Sequence, residues 1–459
     1  MGRYGQMRRL RRCLDLLPVL LALAAGLSSS GAQPLITGYW TDWSAADFPP
    51  EAIDMKRYDI INFSFGLPTA SFDIAFNSAA STDLLRRLVA AADAAKTNTR
   101  IVLSIGGWLS SQYFSAAVAT DASRLLFAQN IFKVLQQYRL DGADLDWEYP
   151  GSAGAGNPFS PSDAANFQIF LTTLRQTLGS NAIITVTGSF EPWDGADGQP
   201  MTDVSPAAAA VDAVTIMAYD VHQGGVGVNS PLADLCGNST QPRDNAASGV
   251  KQWVSAGMPR EKLLLGVPAY GYIMASTLTT LPQRRSEGEY DLPRRAHPRH
   301  DQFRPQANSL ADPEGDSSSS SALPQPHPHP EQNERHETYA AAGFAPSRRT
   351  QQIKRQTADS GGQINFNSLV QQNILVFSAP EGGFVAAPQS GYTKYWDTCS
   401  DTPYLANGQR LITYDDPRSL RDKAAFALQA GLAGVGVWSM DADTPDGALL
   451  TALQQGLGR

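Results

Sequence analysis

The feature that most narrows the possible folds is a recurring alternation. Eight short apolar or β-branched runs are spaced along the chain: Leu35–Trp40, Tyr58–Gly66, Arg100–Trp108, Leu140–Trp147, Ala182–Phe190, Val211–Asp220, Lys262–Tyr270 and, after a long gap, Leu432–Asp441. Helical patterns lie between them, for example at Leu84–Ala95, Ser123–Tyr138 and Asp163–Leu178. Eight strands alternating with helices is the pattern of an α/β fold closed as a (β/α)8 TIM barrel. An open doubly wound sheet is the alternative, but no glycine-rich phosphate loop follows the first run. At 459 residues and 42% hydrophobic content the chain has ample material for so large a core.

The start of the chain reads differently. Arg3, Arg8, Arg9, Arg11 and Arg12 precede an apolar stretch from Leu16 to Leu27, followed by small residues up to Ala32. The stretch of about a dozen residues is short of the roughly 20 that span a bilayer. Residues 1–32 therefore read as a secretory signal peptide, with export to the extracellular space and no membrane attachment after cleavage. Cleavage removes Cys13 and leaves Cys236 and Cys399. In an oxidising compartment such a pair tends to be bridged, and a Cys236–Cys399 disulfide is expected. Two buried free thiols are the alternative.

Residues 33–281 are assigned to the barrel through its seventh strand. Residues 282–360 are polar, mixed in charge and rich in Ser and Pro, and read as an insertion that cannot bury enough apolar area to order itself. Five of the six histidines fall there: His297, His300, His327, His329 and His336. A low-complexity loop explains them better than a metal site, which wants ligands fixed on rigid elements. Apolar and aromatic residues return over 361–405, which predicts a small subdomain on the barrel rim. Residues 406–459 supply the eighth strand and the last helix. The net charge of −8 argues against a nucleic-acid partner. A monomer is assumed, and no metal or cofactor is required.

The chemistry concentrates in the fourth run, Asp141-Gly-Ala-Asp-Leu-Asp-Trp-Glu-Tyr-Pro150. Asp144, Asp146 and Glu148 are spaced by two, so on a strand they share one face. Three carboxylates in a half-buried row repel one another and lose solvation. Like charges so placed share protons, and one acid is kept protonated, as a general acid must be. The C-terminal ends of barrel strands carry active sites, and Glu148 projects furthest toward that end.

This stretch resembles the D-x-x-D-x-D-x-E signature of glycoside hydrolase family 18, the chitinases. Ser104-Ile-Gly-Gly-Trp108 is similar to the family's S-x-G-G, and Met217-Ala-Tyr-Asp220 to its M-x-Y-D. Leu263–Gly271 resembles its seventh strand, and the run from Thr413 through Asp443 its approach to the eighth. The segments around Cys236 and Cys399 look most like secreted fungal members. The resemblance implies a chitin or chito-oligosaccharide substrate and retention by the substrate's own acetamido group. It implies Glu148 as acid and base, Asp146 orienting the acetamido group, Asp144 sharing Asp146's proton, and Tyr219 bonding the acetamido oxygen. Asp220 would bind the distorted sugar and Trp438 would lie beneath it. Tyr39, Gly107, Trp108 and Met217 would line or support the cleft, core packing being the alternative for each side chain. Endo-β-N-acetylglucosaminidase action on N-glycans and a non-catalytic chitin-binding lectin are the competing functions. Asn238-Ser239-Thr240 is an N-glycosylation acceptor in a polar loop.

Overall fold

The computed structural model describes residues 33–222, 226–283 and 362–459. The expected signal peptide 1–32, and residues 284–360 of the expected polar insertion with its five histidines, lie outside the described residues.

Seven parallel strands come first: β1 (Leu35–Thr41), β2 (Ile60–Pro68), β3 (Arg100–Gly106), β4 (Gly142–Asp146), β5 (Ile183–Gly188), β6 (Ala213–Met217) and β7 (Leu263–Pro268). The chain then builds β8 (Tyr270–Ala275), β9 (Gly362–Asn365), β10 (Leu375–Ser378), β11 (Gly383–Ala386), β12 (Thr393–Asp397), β13 (Thr402–Ala406) and β14 (Arg410–Thr413), and returns to the barrel as β15 (Gly434–Trp438). β15 pairs with both β7 and β1, and β1 also pairs with β2. That last pairing closes an eight-stranded parallel barrel and removes its edges. The fold is the expected (β/α)8 barrel.

Helices cover its outside: α1 (Ala79–Ala95), α2 (Phe114–Val118), α3 (Asp121–Tyr138), α4 (Asp163–Leu178), α5 (Ser205–Ala210) and α6 (Ala246–Ser255), then, after a short α7 (Phe366–Gln371) within the insertion, α8 (Pro417–Gln429) and α9 (Ala448–Gly456). α3 shows why these segments are helical. Thr120 and Ser123 form a reciprocal capping box at its start, and Arg139 ends it with a left-handed φ of 56°. Its buried residues Phe127, Ile131 and Leu135 recur every four positions, which makes one apolar stripe.

The two faces of the barrel wall differ in chemistry. Ile36, Ile61, Leu103, Leu145, Val186, Ile216, Leu265 and Val435 join the helices' Phe127, Phe167, Leu174, Trp253 and Leu420 in one apolar core. The alternate strand residues include Thr37, Asn62, Ser64, Ser104, Asp144, Asp146, Thr185, Thr187 and Thr215, all buried and polar. A Cβ on Gly436 would stand 2.8 Å from Thr37 Oγ1 and 3.4 Å from Thr215 Cγ2, so three strands meet inside the barrel with no room for another side chain. Area removed from water is thus concentrated in the strand–helix layer, and the barrel centre is left polar.

The rim sheet departs from the expected bounds. Its five strands run in the order β9-β8-β14-β13-β12. It therefore takes in Tyr270–Ala275, assigned from sequence to the barrel, and Arg410–Thr413, beyond the expected end at 405. β8 pairs antiparallel with both β9 and β14, and β9 starts after the long polar stretch. Such non-local pairing leaves no mark in local composition. A Cβ on Gly271 would lie 1.8 Å from Thr413 O, so only glycine permits this approach.

Candidate active site

β4 places Asp144 and Asp146 inside the barrel, where they are 0% and 5% exposed. The strands on either side supply their partners. Ser104 Oγ on β3 donates to Asp144 Oδ2 at 2.7 Å, and Thr185 Oγ1 on β5 donates to Asp144 Oδ1 at 2.6 Å. Thr187 Oγ1 donates to Asp146 Oδ1 at 2.7 Å. The alternation Thr185-Val-Thr187 supplies one hydroxyl for each aspartate, because β5 runs parallel to β4 with Thr185 opposite Asp144.

Glu148 does not continue the strand. β4 ends at Asp146, Trp147 turns outward to stack on Phe114 at 5.2 Å, and a cis peptide joins Glu148 to Tyr149. The strand stops because its neighbour stops: β3 ends at Gly106, and the Gly107 N–H closes onto Asp146 O at 2.7 Å. Ser111 then fixes the backbone of the acid. Its Oγ accepts from the Glu148 N–H at 3.1 Å and donates to Gly107 O at 2.9 Å.

The proton affinities follow from this burial. Asp144 is raised above the usual carboxylate range by loss of water, against the pull of its hydroxyl donors. Asp146 is raised from 3.8 to about 7, first by burial and then by the charge of Asp144. Glu148 is raised well above its ordinary value by burial and by Asp146, opposed by a hydrogen bond from Tyr149. All three acids of the row therefore bind protons more tightly than free carboxyls do, the outermost included.

Tyr219 and Asp220 follow the end of β6. Burial and the surrounding acids, Asp146 first, push the Tyr219 phenol well above its usual range, so it stays a donor. Asp220 has φ 65°, a left-handed conformation that Asp tolerates better than most residues. Hydrogen bonds from two other segments hold this turn. The Asp220 N–H donates to Asn229 Oδ1 at 3.0 Å, and the Val221 N–H to Asn229 O at 3.1 Å. The Tyr270 and Tyr272 hydroxyls both donate to Asp220 Oδ1, at 2.6 and 2.7 Å.

On the opposite side Trp438, at the end of β15, stacks on Phe65 at 5.6 Å and meets Tyr39 and Trp43 edge-on. Gly107 has φ +86°, and a Cβ there would lie 2.9 Å from the Phe65 ring, so its role is to let this aromatic bed form. Trp108 meets Tyr149 edge-on at 6.5 Å. Met217 is buried at the end of β6. Tyr39, expected in the cleft lining, is 3% exposed and lies in the field of Asp144 and Asp146. That position suits a support for the acids more than a surface for a ligand.

The structure thus gathers Asp144, Asp146, Glu148, Tyr219, Asp220, Gly107, Trp108 and Trp438 at the C-terminal mouth of the barrel. Sequence reasoning missed Ser111, Tyr149, Thr185, Thr187, Tyr270 and Tyr272. The two threonines were legible as the polar half of an alternating strand. The two tyrosines of β8 were not, since they arrive from the rim sheet. Sγ atoms of Cys236 and Cys399 form the expected disulfide, which joins the loop after β6 to the turn between β12 and β13.

A protonated carboxyl above two proton-sharing aspartates, beside an aromatic bed, is suited to acid catalysis on a sugar. Comparison with known proteins places the chain in a family. The chain is 30% identical over 95% of its length to a chitinase-like effector of Moniliophthora perniciosa, covering 89% of that protein. It is 27% identical over 75% of its length to chitinase A1 of Niallia circulans, covering 41% of that protein. The crystal structure of the chitinase RmChi1 of Rhizomucor miehei superposes with a TM-score of 0.67 at 29% identity, over 92% of this chain and 99% of that one. The sequence pattern described as Glycosyl hydrolases family 18 matches residues 35–443, and the chain belongs to that family.

Proposed function

We propose that this chain is a secreted chitinase that hydrolyses β-1,4-linked N-acetylglucosamine polymers with retention. The observation that carries the reading is the graded row Asp144, Asp146, Glu148, with the outermost acid raised well above its ordinary value. Glu148 in its protonated form donates to the glycosidic oxygen as the bond breaks. The substrate's acetamido oxygen attacks the anomeric carbon, giving an oxazolinium ion in place of a glycosyl-enzyme. Asp146 orients the acetamido N–H and offsets the positive charge, while Asp144 shares its proton. Tyr219 donates to the acetamido oxygen, and Asp220 binds the distorted sugar over Trp438. Glu148, now ionised, takes a proton from the attacking water and is restored.

The name of the 30% identical effector favours a second reading, sugar binding without turnover. The presence of Glu148, with Ser111 and Tyr149 holding it, favours the enzyme. Turnover of chitotetraose by the mature protein beside Glu148→Gln decides between them. Loss of the acid should lower kcat by about 10²- to 10⁴-fold with binding retained. No cleavage by wild type, with binding intact, overturns the chitinase reading in favour of the lectin. No binding at all points to another N-acetylglucosamine substrate, such as an N-glycan core.

Export and modification belong to the same proposal. A signal peptide over 1–32 directs secretion, and Asn238, whose side-chain amide meets Gln283 at an exposed contact, accepts an N-glycan. N-terminal sequencing and intact mass of the protein secreted by a eukaryotic host test both; a start at Met1 and an unmodified mass refute them.

A further inference from the structure

Lys423 on α8 is 1% exposed and its partner Asp415 is 0% exposed. Neither is part of the acid row. The ion pair is costly, since both charges lose water and an apolar pair would pack as well. Its other contacts show where the cation is aimed. Ser419 Oγ donates to Asp415 Oδ1 at 2.7 Å, which anchors the carboxylate to the start of α8. Lys423 Nζ donates to Ser230 Oγ at 2.8 Å. Ser230 Oγ in turn donates to Ala218 O at 2.6 Å.

The direction of this relay is forced. An ammonium can only donate, and a hydroxyl has one hydrogen, so Ser230 accepts from Lys423 and gives its proton to Ala218 O. A charged donor strengthens the next bond in such a chain. The Ala218 carbonyl belongs to the peptide that enters Tyr219. The neighbouring Asn229 binds the Asp220 N–H and, through its Nδ2, Tyr270 O at 3.0 Å. Residues 229 and 230 thus form a template for 218–221, and Lys423 backs that template from the helix layer.

We propose that Lys423 is a positioning residue that holds Tyr219 and Asp220 in their working orientation, acting through Ser230. This rests on the reading of Tyr219 and Asp220 as sugar-binding groups. Ser230→Ala is the first test, because it removes the relay and leaves the Lys423–Asp415 pair in place. It should lower kcat about tenfold, as expected for a displaced reacting group, with a smaller change in KM. Amide hydrogen exchange over 217–221 should quicken. In a Tyr219→Phe background the same substitution should cost less than it does alone, since only Asp220 is left to be displaced. The pair of changes Lys423→Met and Asp415→Leu strands no charge and should reproduce the kinetic loss. Wild-type kcat and unchanged exchange in Ser230→Ala overturn the proposal, as do additive losses with Tyr219→Phe. The exchange measurement needs no substrate, so it decides the matter even if wild type fails to cleave chitotetraose, an outcome that refutes only the chitinase reading.

Discussion

Replacing Asp146 by Asn should make the protein more stable at alkaline pH while disabling it. The Asp146 carboxyl moves from 3.8 to about 7 on folding, through burial and the charge of Asp144. Each tenfold change in proton affinity is worth about 1.4 kcal/mol, so the ionised side chain costs the fold on the order of 4 kcal/mol. The sign follows from linkage. A carboxyl whose folded value is raised contributes fully below its unfolded value, near 4, and that contribution is lost as pH rises through the folded value, about 7. Asn carries no charge to strand, and its oxygen can still accept from Thr187, now 2.7 Å from Asp146 Oδ1. For a barrel of roughly 350 residues, with about 2.1 cal/mol/K of unfolding entropy per residue, 4 kcal/mol corresponds to about 5 °C in Tm. Calorimetry of both proteins from pH 4 to 9 reads the effect. The difference in Tm should be near zero at pH 4, rise through pH 7 and level off above it. A difference that stays flat over that range, or a wild type that is the more stable protein at pH 9, would refute the reasoning.

Two further outcomes are expected. Gly107→Ala forces a side chain to within 2.9 Å of the Phe65 ring at φ +86°; strain of about 1–3 kcal/mol should appear as a lower Tm together with a raised KM for chito-oligosaccharides, and an unchanged KM would show that Trp438 does not depend on this bed. Opening Cys236–Cys399, 163 residues apart in sequence, frees a loop whose closure is worth roughly 5 kcal/mol in the chain-entropy model; a reductant, or the Cys236→Ser and Cys399→Ser pair, should lower Tm by several degrees, and no change in Tm would contradict a stabilising bridge.

What the sequence showed and what it hid divide along one physical line. The barrel strands carry apolar residues on the face that meets the helices, so each run was visible, although Val211–Asp220 shrinks to Ala213–Met217 and Leu432–Asp441 to Gly434–Trp438. Asp144 and Asp146 stood out because acids are rare in such runs. The residues that control them did not. Ser104 was visible only as part of a motif, and Thr185 and Thr187 are common strand residues whose meaning depends on which strand lies alongside. Tyr270 and Tyr272 reach Asp220 only because a rim strand pairs across a gap of more than a hundred residues. Ser230 and Lys423 lie 193 positions apart. Local pattern reports burial, whereas a site is a matter of lateral neighbours.

That division also explains why the acids sit where they do. A barrel needs its outer face apolar to bind the helices, but its centre is free to be polar provided each group finds a partner. Hydroxyls on β3 and β5 can then stabilise Asp144 without the fixed positive charge that would lower its proton affinity far below neutral. A lysine in place of Thr187 would pair with Asp146 and hold it ionised, and the lysine's positive charge would cancel the field by which Asp146 raises Glu148. Neutral donors hold the row together and leave the proton affinity of each acid raised. Lys423 lies one layer out, paired with Asp415 and donating to Ser230, and none of its contacts is to the acid row. It can orient the turn that bears Tyr219 while the buried carboxyls keep the raised proton affinity that general acid catalysis needs.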